Sequence, residues 1–229
     1  MVEVLEISAA HVLGMDSSYI DFQSYEVPVH RAIVDDVSSL KSAARSAGFE
    51  LGLASGYRSY ERQLSIWNAK ATGKRSLCSD NGELLDINRM THEEVLFAIL
   101  RWSALPGASR HHWGTDLDVY DVSALADESS LQLTIAECEG PFKAFYDWLD
   151  EYLGSPSSPF FRPYSRDSGG VAREPWHLSH KKIAAFYKEK LCLDMLKESL
   201  QDSPCELKQV ALQNMEKIFK NYVLVYKEY

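Results

Sequence analysis

Four cysteines in 229 residues (Cys78, Cys138, Cys192 and Cys205) are too few and too scattered to staple a fold. None forms a Cys-x-x-Cys pair, which removes the common thiolate metal motifs and points to free thiols in a reducing compartment. Positive charge is scarce as well: 24 Lys and Arg against 33 Asp and Glu leave a formal net charge of -9. Nucleic acids and anionic membrane surfaces both call for a basic footprint, so neither is expected as a partner. No apolar run approaches the roughly 18 residues of a membrane-spanning helix. The start, Met1-Val2-Glu3-Val4-Leu5-Glu6-Ile7-Ser8, lacks the basic and apolar regions of a secretory signal. The expected location is therefore cytoplasmic, with a periplasmic one or export by a non-standard route left open. Repeats and low-complexity tracts are missing too, and nothing in the pattern indicates an obligate protein partner.

What is present is an ordinary globular balance, 45% hydrophobic and 25% charged, able to support a core. The expectation is one domain over residues 1–229, with its informative motifs in 49–180 and a helical extension from about 181 to 229. Ile33, Val37, Leu40 and Ala44 share one helical face in a segment running from Val29 to Ala47, and Gly48 stops it. Residues 49–54 alternate like a strand. A helix follows from Tyr60 to about Lys70, and residues 71–90 read as a polar loop. Thr91 and Glu94 form a capping box that opens a helix reaching about Trp102. Thr115 to Val122 reads as a strand with Asp116, Asp118 and Tyr120 on one face and Leu117 and Val119 on the other. Pro141 starts a helix with Phe142, Phe145, Tyr146, Leu149 and Leu153 in its stripe. Two more helices are expected over 179–200 and 204–222, their apolar stripes serving as packing surfaces. This adds up to an α+β fold in which strands carry the site and helices pack around them.

The stretch Ser109-Arg110-His111-His112-Trp113-Gly114-Thr115-Asp116-Leu117-Asp118 carries most of the chemistry. An imidazole and a carboxylate stand seven residues apart in it, an odd spacing that on one unbroken strand would send them to opposite faces. The chain must turn between them, and Gly114 supplies the permissive backbone. His112 is the rival of His111, since adjacent residues do not easily face one metal. Downstream, Glu174-Pro175-Trp176-His177 adds a second imidazole and a second carboxylate. Two histidines and one carboxylate make the ligand set of a catalytic Zn2+ with an open fourth position, and the extra Glu suits a general base. Pro175 places His177 at or before a helix start, which puts His180 near the rim or in solvent. His11, His30 and His92 have no ligand-like spacing and read as structural.

These blocks resemble the signature of the VanY-type D-alanyl-D-alanine carboxypeptidases, members of the wider LAS group of zinc peptidases. Ser109-x-His111-x-x-Gly114-x-x-x-Asp118 precedes Glu174-Pro175-Trp176-His177, and Ser55-Gly56-Tyr57-Arg58-Ser59-x-x-x-Gln63 matches a third block upstream. The resemblance implies a small antiparallel sheet carrying the zinc site, flanked by helices, as in LAS and hedgehog-like zinc peptidases. It implies His111, Asp118 and His177 as zinc ligands and Glu174 as the catalytic base. Arg58 is implied at the scissile carbonyl or developing oxyanion, and Ser109, Gln63, Ser55 and Tyr57 in substrate binding. The implied substrate is a peptidoglycan-type peptide, cut at its C-terminal bond. An L,D-carboxypeptidase or endopeptidase of the same fold is the nearest alternative. A non-catalytic zinc-binding sensor of wall peptides is a further one, disfavoured because the ligands and the base are all retained. Two departures from the family pattern stand out: Asp116 where a small residue is usual, and His180 where a Tyr is usual.

Overall fold

The computed structural model describes residues 6–80, 82–125 and 131–224. The N-terminal stretch read above for a signal begins at Met1, and its first five residues lie outside that range.

A short helix, α1 (Ala9–Val12), is closed by a capping box in which Ser8 and His11 exchange hydrogen bonds. Two short strands, β1 (Ile20–Asp21) and β2 (Val29–His30), pair antiparallel, and a 3-10 turn leads into α2 (Val34–Ser46). The helix expected from Val29 therefore begins five residues later, at Val34. The backbone of His30 is committed elsewhere: its N–H bonds the Gly114 carbonyl, 2.8 Å away, and its Nδ1 caps the 3-10 turn through Ala32 N. Val37, Leu40 and Ala44 of α2 are buried, as the periodicity requires.

The site rests on a four-stranded antiparallel sheet of order β3-β4-β6-β5, formed by β3 (Leu51–Ser55), β4 (Asp116–Asp121), β5 (Phe160–Phe161) and β6 (His177–His180). Opposite residues in antiparallel strands point to the same face. Ser55 faces Asp118, and Asp118 faces His177, so one row crosses three strands. Asp116 faces Ser179 one pleat further along. Leu117 and Leu178 turn the other way into the core and are fully buried. That alternation is what fixes the register: a slip of one residue would bury the carboxylates in the core and expose the leucines.

Helices close around this sheet. α3 (Tyr60–Ala71), α4 (His92–Leu100) and α6 (Lys143–Gly154) run where the sequence places them, and the Thr91–Glu94 capping box forms with bonds in both directions. A short α5 (Ile135–Glu139) has its own capping box from Thr134 and Glu137. Tyr146 of α6 donates from its hydroxyl to Val119 O, tying that helix to β4.

The C-terminal region departs from expectation. His177–His180 is strand rather than pre-helix, because its backbone completes the sheet against β4 and β5. The expected 179–200 helix is two helices, α7 (Lys181–Lys190) and α8 (Leu193–Gln201), and the 204–222 helix divides into α9 (Lys208–Gln213), α10 (Met215–Ile218) and a π turn. His180 is buried, not solvated: its Nδ1 caps α7 through Ile183 N, and its Nε2 meets Asp36 Oδ2 at 3.0 Å. The extension packs on α3, where Trp67 Nε1 donates to Glu206 O and Tyr60 donates to Ser199 O.

Candidate active site and metal centre

The turn that carries His111 is a 3-10 helix over Arg110–Trp113, ended by Gly114 at φ 66°. A side chain at Gly114 would meet Ile20 Cδ1 at 2.6 Å and His30 N at 2.9 Å, so both the backbone conformation and the packing require glycine. The turn reverses the chain, and His111 is thereby returned to the face on which Asp118 stands. Trp113 anchors it: the buried indole stacks on Tyr187 at 5.7 Å, takes the Arg110 guanidinium on its ring at 4.7 Å, and donates to Val12 O. From the other side, Arg58 N donates to His111 O at 3.0 Å, joining this turn to the Ser55–Arg58 loop.

His111, Asp118 and His177 converge, each offering one ligand atom, all within 4.8 Å of one another. His111 Nε2 lies 3.4 Å from Asp118 Oδ2, and His177 Nδ1 lies 3.3 Å from Asp118 Oδ1. The outward-facing nitrogens are already used. His111 Nδ1 donates to Gly56 O at 2.8 Å, which leaves Nε2 for the centre. His177 Nε2 donates to Asp116 Oδ1 at 2.9 Å, which leaves Nδ1. Such second contacts fix the tautomer and the ring plane of a metal-ligating histidine. Gly56 is demanded by its own surroundings, since a Cβ there would lie 2.2 Å from Pro28 O.

The electrostatics suit a cation. Burial opposes ionisation of Asp118, yet the two imidazoles outweigh it and hold its carboxyl far below the usual range. Burial likewise opposes charge on His177, but Asp116, Asp118 and Glu174 prevail and keep the imidazole protonated well above its ordinary range. Asp118 Oδ1 is buried and makes no well-formed hydrogen bond among the described residues, although His177 Nδ1 is near. Together, a buried acceptor without a donor, a proton held between carboxylates and two pre-oriented imidazoles fit a divalent metal ion.

Asp116 is the centre of a second layer. It is fully buried, and it receives Arg110 Nε at 2.7 Å, Thr115 Oγ1 at 2.8 Å and Ser179 Oγ at 3.1 Å in addition to His177. Burial opposes its charge, and Arg110 with His177 reverses that, so it remains an anion. Its role is thus explicit: it orients a candidate ligand rather than joining the ligand set. The rival His112 is turned away, with Nδ1 on Arg58 O and Nε2 accepting from Gly107 N.

Residues 26–183 match the family model for VanY, D-alanyl-D-alanine carboxypeptidase. The chain belongs to the VanY family. An uncharacterised protein of Haemophilus influenzae is 31% identical over 124 residues, covering 52% of this chain and 93% of that protein. A D-alanyl-D-alanine carboxypeptidase of Enterococcus faecalis is 29% identical over 164 residues, covering 69% of this chain and 51% of that one, so the match spans about half its length. Among solved structures, VanYB in complex with D-alanine-D-alanine superposes with a TM-score of 0.52 at 24% identity, covering 82% of this chain and 93% of the other. The LD-carboxypeptidase LdcB gives 0.51 at 24%, covering 79% and 78%. At these identities the structures establish the fold alone, an α+β architecture with helices around a small antiparallel sheet.

A cleft of about 320 Å³ opens over the VanY-family site, with Arg58, Ser109, His111, Asp118, Glu174 and His177 on its walls. Glu174 Oε2 lies 3.4 Å from His177 Nδ1, and its backbone N–H is held by Tyr164 O at 3.0 Å. Arg58 donates to Gln63 Oε1 at 2.9 Å and to Ser55 Oγ at 3.1 Å, while Gln63 Nε2 donates to Ala104 O at 2.6 Å. Ser55 and Gln63 therefore hold Arg58, and neither lines the cleft. Tyr57 does not line it either; its hydroxyl donates to Gly14 O at 3.1 Å. Sequence reasoning passed over Tyr164, whose ring meets that of His177 edge-on at 5.0 Å, and Lys70, both on the cleft wall. Neither stands in a motif. It also left out Ile218, Tyr222 and Val223, which line the cleft from beyond the family-matched residues.

Proposed function

We propose that this chain is a zinc-dependent carboxypeptidase of the D-alanyl-D-alanine type, hydrolysing the C-terminal peptide bond of peptidoglycan-derived peptides. The observation that carries the reading is the convergence of His111 Nε2, Asp118 and His177 Nδ1, both imidazoles being fixed from behind, with Glu174 at the same point. The family and the likeness to a D-alanine-D-alanine complex of VanYB supply the substrate class. A bound Zn2+ provides Lewis acidity toward a carbonyl oxygen and lowers the pKa of water toward ~7.

The chain's own groups do the rest. Glu174 takes a proton from the attacking water and returns it to the leaving amine. The Arg58 guanidinium is locked by Ser55 and Gln63, so it meets the charge that grows on the scissile carbonyl oxygen without reorganising. Burial lowers the pKa of Arg58 while the carboxylates of Asp118 and Glu174 oppose that shift, and this nearness to both carboxylates supports the reading. Ser109, at the start of the His111 turn, offers its hydroxyl to the peptide. Trp176 and Tyr164 line the cleft together with Glu174.

The test is incubation of the zinc-loaded protein with a stem pentapeptide and a stem tetrapeptide, followed by mass spectrometry. Loss of one terminal D-alanine from the pentapeptide is expected. Cleavage of the tetrapeptide alone would assign the L,D-carboxypeptidase reading, an internal cut would assign the endopeptidase, and zinc binding without any product would assign the sensor.

A further inference from the structure

The cleft does not end at the metal ligands. It continues along α3, where its wall carries Lys70 and Arg75 in addition to Arg58. Three cations on one wall are a local reversal of sign in a chain of net charge -9. Arg58 is accounted for by its two hydrogen bonds and its neighbouring carboxylates. Lys70 feels Glu174 as well, but makes no ion pair with it. It is half-buried near the end of α3, and its Nζ donates to Ser103 Oγ at 2.6 Å. No carboxylate lies within ion-pair distance of it among the described residues. Holding an ammonium partly out of water without an anion is costly. Burial, helped by Arg75 and only partly offset by Glu174, pushes its pKa down to about 8.

Its placement relative to the reacting groups is set by one loop. Gln63, which holds Arg58, is bonded to Ala104 O, and Lys70 is bonded to the adjacent Ser103. The two cationic positions are therefore tied to adjacent residues of one loop, and both line the cleft. A peptide lying with its scissile carbonyl toward Arg58 and Glu174 can present a carboxylate to Lys70 in the same cleft. It comes either from its own C-terminus, one residue beyond the cut, or from an acidic residue on the other side.

We propose that Lys70, positioned by Ser103 and supported by Arg75, is a carboxylate-recognition residue that selects which peptides this cleft accepts. The proposal rests on the carboxypeptidase reading for its substrate, and it names a determinant that the metal site and base do not supply. An ammonium–carboxylate contact in a half-buried site, once lost, weakens binding by roughly 10- to 100-fold.

The experiment compares the zinc-loaded wild type with Lys70→Met, which keeps the stem, and Lys70→Arg, which keeps the charge. Four stem pentapeptides ending in D-Ala-D-Ala are used: the free acid, its C-terminal amide, and the same pair with the carboxylate of the γ-linked D-glutamate amidated. KM and kcat are measured for each, and binding is measured by calorimetry. In the wild type, one of the two carboxylates is expected to improve KM and Kd by about 10-fold or more. That preference should collapse in Lys70→Met, with kcat changing less than KM, and return in part in Lys70→Arg. Collapse of the acid-over-amide preference assigns the terminal carboxylate, and collapse of the glutamate preference assigns the internal one. Wild-type preferences retained in Lys70→Met, equal losses on all four peptides, or no carboxylate preference in the wild type overturn the proposal. Turnover of none of the peptides by wild type would instead count against the proposed activity, and the calorimetric comparison would still decide the role of Lys70.

Discussion

Replacing Asp116 by Asn is the sharpest probe of how the candidate metal site is built. The substitution preserves shape, but exchanges an anion that accepts four side-chain bonds for an amide with one oxygen. Two consequences differ in size and in readout. Arg110 and Asp116 are both buried, and removing one member of a buried pair costs about 3–5 kcal/mol. With an unfolding entropy of about 2.1 cal/mol/K per residue, 229 residues give roughly 0.5 kcal/mol per degree, so Tm should fall by roughly 6–10 °C. Separately, His177 loses the partner that fixes its ring, and loss of such a partner lowers metal affinity by about 10–100-fold. Competition with a chromophoric chelator at 20 °C measures the second effect on folded protein. Ser179→Ala is the control, since it removes the bond to the other oxygen, Oδ2, and the bond accepted from Arg110 Nη2, but leaves the His177 contact in place. It should cost roughly 1–3 kcal/mol with near-normal zinc affinity. A folded Asp116→Asn variant with wild-type zinc affinity would refute the orienting role, whatever its Tm.

Three further outcomes test the chain independently. Glu174→Gln should retain stoichiometric zinc by metal analysis while turnover falls by ~10²-fold or more, and near-full activity would remove its role as base. Arg58→Ala should lower kcat more than it raises KM, and Arg58→Lys should recover little, because an ammonium cannot span Ser55, Gln63 and a carbonyl as a planar fork does; a KM effect alone would instead place Arg58 on a ground-state carboxylate. Acid should destabilise the fold through His30, which is fully buried and whose pKa is pushed down to about 4 by burial. The unfolded chain takes up a proton near 6.5 while the native ring stays neutral, so stability is present above pH 6.5 and is lost as pH falls toward 4, by on the order of 3 kcal/mol. Urea midpoints of His30→Asn, which can still cap the Ala32 turn, should show a shallower slope across that window, and an unchanged slope would exclude His30 as the titrating group.

The site was legible where chemistry and local geometry coincide. His111, Asp118, Glu174 and His177 are spelled out by residue type and order, and the odd spacing of His111 and Asp118 demands the turn that Gly114 makes at φ 66°. The capping box at Thr91–Glu94 and the stripe of α6 are local signals and appear as read. Legibility failed where partners lie far along the chain. His177–His180 becomes a strand through pairing with residues some sixty positions earlier, and nothing within four residues announces that. His180 looks solvated until Asp36, 144 positions away, is brought to it. Val29 and His30 carry helical periodicity onward, but their backbone is taken by β1 and by Gly114.

Asp116 and Lys70 mark the boundary between what a family pattern conveys and what this chain adds. Asp116 breaks the pattern at a position where a small residue would leave Arg110 and Ser179 without their common acceptor, so those residues belong together as a set. In the fold its charge is matched by Arg110 and directed to His177. Lys70 carries no pattern, and its significance depends on Ser103 of a distant loop and on a wall completed by Ile218, Tyr222 and Val223. The extension that reads as a packing appendage thus also contributes to the cleft wall. The strand row Ser55–Asp118–His177 positions the candidate site, and residues of α3 and of the region beyond the family match line the cleft above it.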